Sequence, residues 1–273
     1  MAETDPSAIA REMLHAFSTG NTVPALPSSQ GVDLAGGYVV EAEFARLRRQ
    51  SGRETVGLKV GFANKAVLRA LKLETIVWAH MYEDTVHYAP GDAAELVLPP
   101  HRAPKIEPEI VFKLKQPIPS GGLDGAAVLQ HVEWLAIGFE IIDCPFPNWE
   151  FKPPDFVAAF GLHLALVVGQ PLPVEPDGIA ALADALASFK LRVSRNDEFV
   201  EQGSGRNSLR SPALCLAELA GAVLRETPQD PLAAGSLVSS GTLTTGHRIQ
   251  RGETWSVAAE GLPVPGLSLR LVG

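Results

Sequence analysis

The segment KIEPEIVFKL, residues 105–114, carries two acids inside a hydrophobic strand pattern. Side chains alternate with period two along a strand, so Glu107 and Glu109 point to the same side. Pro108 between them has no backbone N–H to donate, which predicts a position at a sheet edge or at the mouth of a site. Two carboxylates on one face repel each other and resist leaving water, so a cation is expected between them.

A third acid, Glu140, lies inside the apolar run AIGFEIID, which is also typical of a strand. A buried carboxylate is costly unless it is paired, hydrogen-bonded or coordinated. Three carboxylates from two strands would suit a hard divalent cation, Mg²⁺ or Mn²⁺, with coordination positions left for a ligand and water. The alternative is that Glu107 and Glu109 are solvated and that Glu140 pairs with a lysine.

The overall composition excludes several classes of function. The chain has 273 residues, 46% of them hydrophobic, and a net charge of −8, which predicts a globular protein without a nucleic-acid or anionic-membrane partner. Its two cysteines form no CxxC pair, so neither a disulfide framework nor cysteine ligation of a metal is expected. The N-terminus is acidic and unlike a signal peptide, and the apolar runs are too short to span a bilayer. A cytoplasmic location is therefore predicted.

The periodicity of apolar residues changes near residue 76. Helical spacing dominates before it, at 7–17 and 34–49, although a short strand is expected at 55–60. Short runs of period two dominate after it, interrupted by a few helices, of which 211–225 begins with Ser211 as N-cap and Pro212 at the first position. This order predicts an α+β protein with an N-terminal helical cap region, residues 1–75, and a β-rich catalytic domain, residues 76–273.

Five blocks of the sequence together resemble a known family. GLKVGFANKAV (57–67), EPEIVF (107–112), FEIIDCPFPNWEFK (139–152), GSGRNSL (203–209) and GSLVSSGTLTTGHRIQRGETW (235–255) are similar, in order, to the fumarylacetoacetase-like superfamily. Within it they resemble the branch of the 2-keto-4-pentenoate hydratases and 4-oxalocrotonate decarboxylases. The resemblance implies a mixed β-roll with the helical N-terminal part packed against it. It also implies that Glu107, Glu109 and Glu140 are magnesium ligands.

The resemblance implies roles for two further residues. Lys59 matches the active-site lysine of the branch, and its charge would stabilise an enolate or bind the substrate carboxylate. A structural salt bridge, for instance to Glu140, is the alternative. His80 stands where the branch usually has an aspartate and is expected to move protons, although a hydrogen-bonded core histidine is equally consistent with its apolar surroundings.

Residues for substrate binding are implied in the same way. Lys152 belongs to a Trp-x-x-Lys-like feature that is expected near the pocket entrance. Ser240, Gly241 and Thr242 resemble a glycine turn whose backbone donors approach a carboxylate. The chain also departs from the branch in the segment DFVAAFG, residues 155–161, where apolar residues replace a polar one and predict a less polar substrate end.

The predicted activity is that of a metal-dependent hydro-lyase in aromatic compound catabolism, adding water to a 2-hydroxydienoate or 2-oxoalkenoate. Decarboxylation of a 2-oxo diacid, C–C hydrolysis of an acylpyruvate and a non-catalytic partner subunit are the alternatives. The resemblance further implies a homo-oligomer, and a hetero-complex with a related decarboxylase is an additional expectation.

Overall fold

The computed structural model describes residues 5–229 and 231–273. Within them it shows a mixed α/β fold. The helices are α1 (Pro6–Thr19), α2 (Leu34–Gln50), α3 (Lys65–Leu71), α4 (Gly125–Leu129), α5 (Pro153–Ala158), α6 (Ile179–Ser188) and α7 (Pro212–Glu226). In the same residues, no helix combines the length and the apolar character needed to cross a membrane.

The strands form two sheets. They are β1 (Thr55–Gly61), β2 (Val77–Tyr82), β3 (Val86–Tyr88), β4 (Ala93–Val97), β5 (Lys105–Leu114), β6 (Val132–Ile142), β7 (His163–Val168), β8 (Leu172–Pro173), β9 (Lys190–Arg195), β10 (Glu198–Ser204), β11 (Leu237–Ser239), β12 (His247–Arg248), β13 (Thr254–Glu260) and β14 (Leu267–Val272). The larger sheet has the order β2-β1-β11-β5-β6-β7-β3, with β12 beside β5 and β8 beside β6. The smaller sheet has the order β10-β9-β13-β14-β4.

The two faces of the larger sheet differ in character. One face carries large apolar side chains, including Phe112, Ile137 and Val238, which pack into the main core with residues of α6 and α7. The opposite face carries the small cluster of Val111, Ala136 and their neighbours. Because side chains alternate along each strand, Glu107, Glu109 and Glu140 fall on this second face, away from the main core.

The N-terminal helices pack on the sheet beside strand β2, which is an outer strand. Helix α2 covers its free edge, because the N–H of Trp78 donates to Tyr38 Oη at 3.3 Å and the N–H of His80 donates to Glu41 Oε1 at 2.9 Å. An open strand edge is a site of aggregation unless its polar groups are paired, so these two contacts protect the sheet. Phe44 of α2 stacks on Phe160 at 5.0 Å in a separate apolar cluster.

Several predicted elements are confirmed. Helices α1 and α2 cover the predicted segments 7–17 and 34–49. Asn196 and Asp197 both have positive φ, 50° and 65°, as a tight turn between β9 and β10 requires. Strand β1 of the predicted cap region pairs with β2 and β11 within the larger sheet, and the division of the chain at residue 75 stays a prediction.

The predicted position of Pro108 at a sheet edge is wrong in part. Strand β5 lies inside the larger sheet, between β6 on one side and β11 and β12 on the other. Strand β11 pairs with residues 111–113 and β12 with residues 105–106, so the ladder on that side is interrupted at Pro108. The missing N–H therefore falls in a gap between two short strands, beside the acids.

Candidate metal centre and adjoining cavity

The three acids converge as the sequence predicted. Glu107 on β5 pairs directly with Glu140 on β6, and Glu109 pairs with Gly138. One carboxylate oxygen from each of the three lies within 4.8 Å of the others. Convergence follows from the register, because residues opposite each other in neighbouring strands share a face of the sheet.

Lys59 of β1 brings a positive charge to this cluster. Its side chain is 2% exposed, and its Nζ lies 2.9 Å from Glu140 Oε2. Burial alone would lower the pKa of Lys59, but Glu140, Glu109 and Glu107 more than offset it and hold that pKa above its ordinary value. Three ionised carboxylates and one ammonium leave two negative charges in excess, which one divalent cation would balance.

The acids respond to burial in different ways. Burial raises the pKa of Glu107 to about 7 and raises that of Glu109 well above its usual range. Burial acts on Glu140 in the same direction, but Lys59 and His163 outweigh it and leave the pKa of Glu140 below its ordinary value. Without a cation, the protein therefore holds Glu140 ionised and resists the ionisation of the other two.

The pattern of hydrogen bonds fits a metal ion. Glu109 Oε2 accepts from Ser239 Oγ at 2.6 Å and from the N–H of Gly241 at 2.8 Å. Glu109 Oε1 is buried without a hydrogen-bond partner among the described residues, and Glu140 Oε2 has only its ion pair with Lys59. Buried oxygens without donors are rare, and oxygen ligands are those that Mg²⁺ and Mn²⁺ prefer.

His163, which the sequence analysis did not select, supports the cluster. It begins strand β7 and is 2% exposed. Its Nδ1 lies 2.8 Å from Glu140 Oε1, and its Nε2 lies 2.9 Å from Thr85 Oγ1. It thereby fixes one oxygen of Glu140, as the partners of metal-binding carboxylates commonly do. A histidine in an apolar strand gives no sequence signal for this role.

A cavity of about 560 Å³ opens beside Glu107 and Lys59. Its walls are largely apolar and aromatic, and they include Phe62, Val67, Trp149, Phe151 and Phe156. Within DFVAAFG, residues 155–161, Phe156 lines this cavity, whereas residues 158–160 are buried in the cluster formed with the N-terminal helices. The apolar wall of the cavity is therefore formed mainly by residues outside this segment, and the less polar substrate end that the segment predicted stays a prediction.

The predicted glycine turn reaches the cavity only in part. Gly241 and Thr242 line it, but the N–H of Gly241 is engaged by Glu109. The backbone of Gly241 has φ of 87°, and a Cβ would lie 2.4 Å from Ala63 Cβ, so glycine is required here. Ser240 is fully buried and donates its hydroxyl to the carbonyl of Ile110, which places it outside the cavity wall.

Lys152 is not brought to the cavity. It is exposed at the N-terminus of α5, where its N–H donates to Asp155 Oδ2 at 2.8 Å. The lysine that lies in the cavity wall beside Trp149 is Lys105 of β5, whose Nζ is 3.9 Å from the ring centroid of Trp149. Lys105 lies two residues before Glu107 on the same face of the strand, a relation that the period-two pattern could have revealed.

His80 also lies elsewhere, and the structure does not bring it to the carboxylate cluster. Strand β2 pairs with β1 so that His80 is opposite Leu58, whereas Lys59 is opposite Ala79. His80 therefore shares the face of Leu58, and Lys59 points to the other side of the sheet. The imidazole Nδ1 lies 2.8 Å from Glu41 Oε1. This contact to helix α2 is the alternative structural role that the sequence had left open.

A second pair of a histidine and a glutamate lies at the cavity. Glu201 of β10 is in the cavity wall, and its Oε2 lies 2.7 Å from Nε2 of His247. Thr245 donates its hydroxyl to the same oxygen at 2.7 Å and its N–H at 3.2 Å. Glu201 comes from strand β10, whereas Thr245 precedes strand β12 and His247 begins it. Because the two segments are distant in sequence, no single local motif marks the pair of Glu201 and His247.

Comparison with known proteins places this architecture in a class. No family model matches the chain. A solved 4-oxalocrotonate decarboxylase from Pseudomonas putida G7 shares the fold with a TM-score of 0.85, at 22% identity, over 98% of this chain and 97% of that one. A solved fumarylpyruvate hydrolase from Pseudomonas aeruginosa shares it more distantly, with a TM-score of 0.54 at 17% identity, over 80% of this chain and 89% of that one. The chain therefore shares its fold with these two solved proteins.

The chain is also similar in sequence to curated hydratases and decarboxylases. The chain is 28% identical over 225 residues, 82% of each protein, to the 2-hydroxyhexa-2,4-dienoate hydratase of Comamonas testosteroni. It is 26% identical over 246 residues to a 4-oxalocrotonate decarboxylase of a Pseudomonas species, covering 90% of this chain and 91% of that relative. The predicted resemblance to the branch of 2-keto-4-pentenoate hydratases and 4-oxalocrotonate decarboxylases is confirmed, and these relatives indicate that the chain is an enzyme.

Proposed function

We propose that the protein is a metal-dependent hydratase that adds water to a 2-hydroxydienoate or its 2-oxoalkenoate tautomer. The observation that carries the proposal is the convergence of Glu107, Glu109 and Glu140 beside the buried ammonium of Lys59, at one end of a largely apolar cavity. Several relatives of similar length are named 2-keto-4-pentenoate or 2-hydroxypentadienoate hydratases, which supports the same activity.

The three carboxylates would hold a divalent cation, Mg²⁺ or Mn²⁺, which supplies a Lewis acid for the carboxylate and 2-oxo oxygens of the substrate. Two solved proteins with this fold support the choice of ion, since one is complexed with magnesium and adipate and the other with Mn²⁺ and pyruvate. Lys59 contributes a second positive charge next to the 2-oxo end. In a site removed from water this charge stabilises the negative charge that develops on the substrate oxygen.

The remainder of the cavity favours an uncharged substrate tail. Phe62, Phe151 and Phe156 offer apolar contacts, and the carboxylate of Glu201 would repel a second acid group. A diacid such as oxalocrotonate carries that second group, whereas a simple dienoate does not. Hydration is therefore the activity that this wall supports best.

Decarboxylation of a 2-oxo diacid is the second candidate, and one observation favours it. Lys105 adds a cation to the cavity wall, where it would pair with a distal carboxylate. Its ammonium already lies over Trp149, which compensates part of its charge. Because Lys105 and Glu201 oppose each other in sign, the net preference for a diacid is weak.

The test is to supply purified protein with 2-hydroxypenta-2,4-dienoate or with oxalocrotonate, each with Mg²⁺ and with a chelator. We expect loss of dienol absorbance and formation of the hydrated product, identified by mass spectrometry, only when Mg²⁺ is present. Release of carbon dioxide from oxalocrotonate without hydration of the dienoate would establish the second candidate. No turnover of either compound would refute both.

We further infer a β-roll carrying an N-terminal helical cap, a cytoplasmic location and a homo-oligomer. A hetero-complex with a related decarboxylase is a further prediction. The packing of helix α2 along strand β2 supports the description of the N-terminal region as a cap.

A further inference from the structure

Glu201 is a carboxylate in the cavity that the proposed chemistry has not yet used. It lies on β10 in the smaller sheet, and its side chain is 29% exposed. Hydrogen bonds from Thr245 and His247 outweigh the effect of partial burial and hold the pKa of Glu201 below its ordinary value. The group is therefore ionised at neutral pH and can accept a proton or a hydrogen bond.

The two oxygens of Glu201 are in different situations. Oε2 accepts from His247 Nε2 and from the hydroxyl of Thr245, both at 2.7 Å. Among the described residues, Oε1 has a single long contact, of 3.4 Å, to the N–H of Thr245. Since an ionised carboxylate only accepts, His247 must carry a proton on Nε2, and its ring is held against Trp255 at a centroid distance of 5.7 Å. This arrangement fixes Oε2 and leaves Oε1 with accepting capacity, in a residue that lines the cavity.

Glu201 is also close to the carboxylate cluster. Gly246 packs against Glu107 so tightly that a Cβ on it would lie 2.9 Å from Glu107 Oε1. Thr245 precedes Gly246 and binds Glu201, and consecutive Cα atoms are about 3.8 Å apart. Glu201 and Glu107 are thus separated by one short stretch of the same wall. A substrate held at the carboxylate cluster by its 2-oxo acid end would place its C3 and C4 atoms in the cavity that Glu201 also lines.

We propose that Glu201 is a further catalytic residue, the general base that takes the proton of the adding water, and that His247 is its positioning residue. The inference rests on the proposed hydratase function. The water oxygen bonds to C4 of the 2-oxo-3-enoate, the C3=C4 electron pair shifts toward the 2-oxo oxygen, and the water proton passes to Glu201 Oε1. C3 then takes up one proton, and Glu201 releases its own to solvent, so water is the net reactant.

This assignment fills a role that His80 does not fill. His80 lies on the opposite face of the sheet, whereas Glu201 is in the cavity wall. A positioned general base typically contributes about 10²- to 10⁴-fold to the rate. Because the hydrogen bonds that Glu201 makes with described residues run to Thr245 and His247, its loss is expected to impair the addition of water and to spare binding of the 2-oxo acid end.

The experiment compares Glu201→Gln with Glu198→Gln, which makes the same change of charge at an exposed position on the same strand. Three quantities are measured: hydration of the dienoate, exchange of the C3 hydrogens of 2-oxopentanoate for deuterium by NMR, and oxalate binding with Mg²⁺ by calorimetry. We expect E201Q to hydrate about 10²- to 10⁴-fold more slowly than wild type. Exchange at C3 and oxalate affinity should stay within about threefold of wild type, and E198Q should match wild type throughout.

The role of His247 is tested by a double-mutant cycle. His247→Ala is expected to slow hydration about tenfold in the wild-type background and to have no further effect in E201Q, because residues that act as one unit are not additive. His247→Gln, whose amide can donate to Oε2, should restore most of the rate. Thermal melting confirms that each variant is folded.

The outcomes separate the inference from the function on which it rests. If E201Q hydrates the dienoate as fast as wild type does, the inference is overturned and the proposed function stands. Equal losses of hydration, exchange and oxalate binding in E201Q would also overturn it, since they would show a structural effect. C3 exchange by the wild type without any hydration would overturn both the inference and the hydratase assignment.

Discussion

Replacing Glu107 by glutamine is expected to stabilise the metal-free protein at alkaline pH. Burial raises the pKa of Glu107 to about 7 from an ordinary value of 4.5. Each pKa unit corresponds to about 1.4 kcal/mol, so the ionised carboxylate costs the folded protein up to about 3 kcal/mol. Water reaches this partly exposed side chain and screens the effect, which reduces the expected gain from glutamine to about 1 to 3 kcal/mol.

The sign of the effect depends on pH in a defined way. Below pH 4.5 the carboxyl group is neutral in both the folded and the unfolded chain, and glutamine should give no gain. Between pH 4.5 and about 7 the unfolded chain loses a proton that the folded protein retains, so wild-type stability falls as the pH rises. Above about pH 7 both states are ionised and the advantage of E107Q should reach its plateau.

The assay is thermal melting in a chelator at pH 5, 6, 7 and 8, with Glu12→Gln as a control at an exposed position. For a chain of this size we expect E107Q to melt about 2 to 10 °C higher than wild type at pH 8 and much less so at pH 5. Mg²⁺ should reverse the order, because binding at about 1,000 times the dissociation constant stabilises wild type by about 4.1 kcal/mol. A gain of equal size at pH 5 and pH 8, or an E107Q protein that melts lower than wild type at pH 8 in chelator, would refute the reasoning.

Three further perturbations have defined outcomes. Lys59→Met is expected to lower kcat/KM for hydration at least about 100-fold, because a buried ammonium beside the developing charge is lost. Dienol absorbance measures the rate, and a loss below threefold would exclude a role of Lys59 in stabilising that charge. His80→Ala should reduce the free energy of unfolding by about 1 to 3 kcal/mol, since buried Glu41 loses the imidazole contact. The kcat of this variant should stay within about threefold of wild type. A large fall in kcat with unchanged stability would instead indicate that His80 is catalytic. Gly57→Ala should abolish folding, because its Cβ would lie 1.9 Å from a carbonyl oxygen of β11. Gly178→Ala is the control, because its Cβ would meet no atom of the described residues within 4 Å, and it should melt as wild type does. Equal melting temperatures of the two variants would contradict the packing of β1 on β11.

The candidate metal centre was predictable because it depends on local alternation. Glu107 and Glu109 must share a face once residues 105–114 form a strand, and the structure confirms the strand as β5. The convergence of Glu140 required the pairing of β5 with β6, which period-two patterning does not specify and which the resemblance supplied.

The errors came from register and from contacts between distant segments. His80 is opposite Leu58, one residue before Lys59, so alternation places His80 and Lys59 on opposite faces of the sheet. Period-two patterning alone does not specify which residues are opposite each other. Glu201 of β10 and His247 of β12 are joined by a side-chain hydrogen bond. Contacts of this kind depend on the packing of the smaller sheet against the larger one, for which the linear sequence contains no signal.

The central claim is that Glu107, Glu109 and Glu140 bind one divalent cation that holds a 2-oxo acid. The most direct measurement is X-ray diffraction from crystals grown with Mn²⁺ and oxalate, with anomalous data collected at the manganese edge. We expect one anomalous peak at about 2.0 to 2.3 Å from an oxygen of each carboxylate, with oxalate in the remaining positions facing the cavity. A map with no manganese between these three side chains, in a crystal where oxalate is bound elsewhere, would contradict the account.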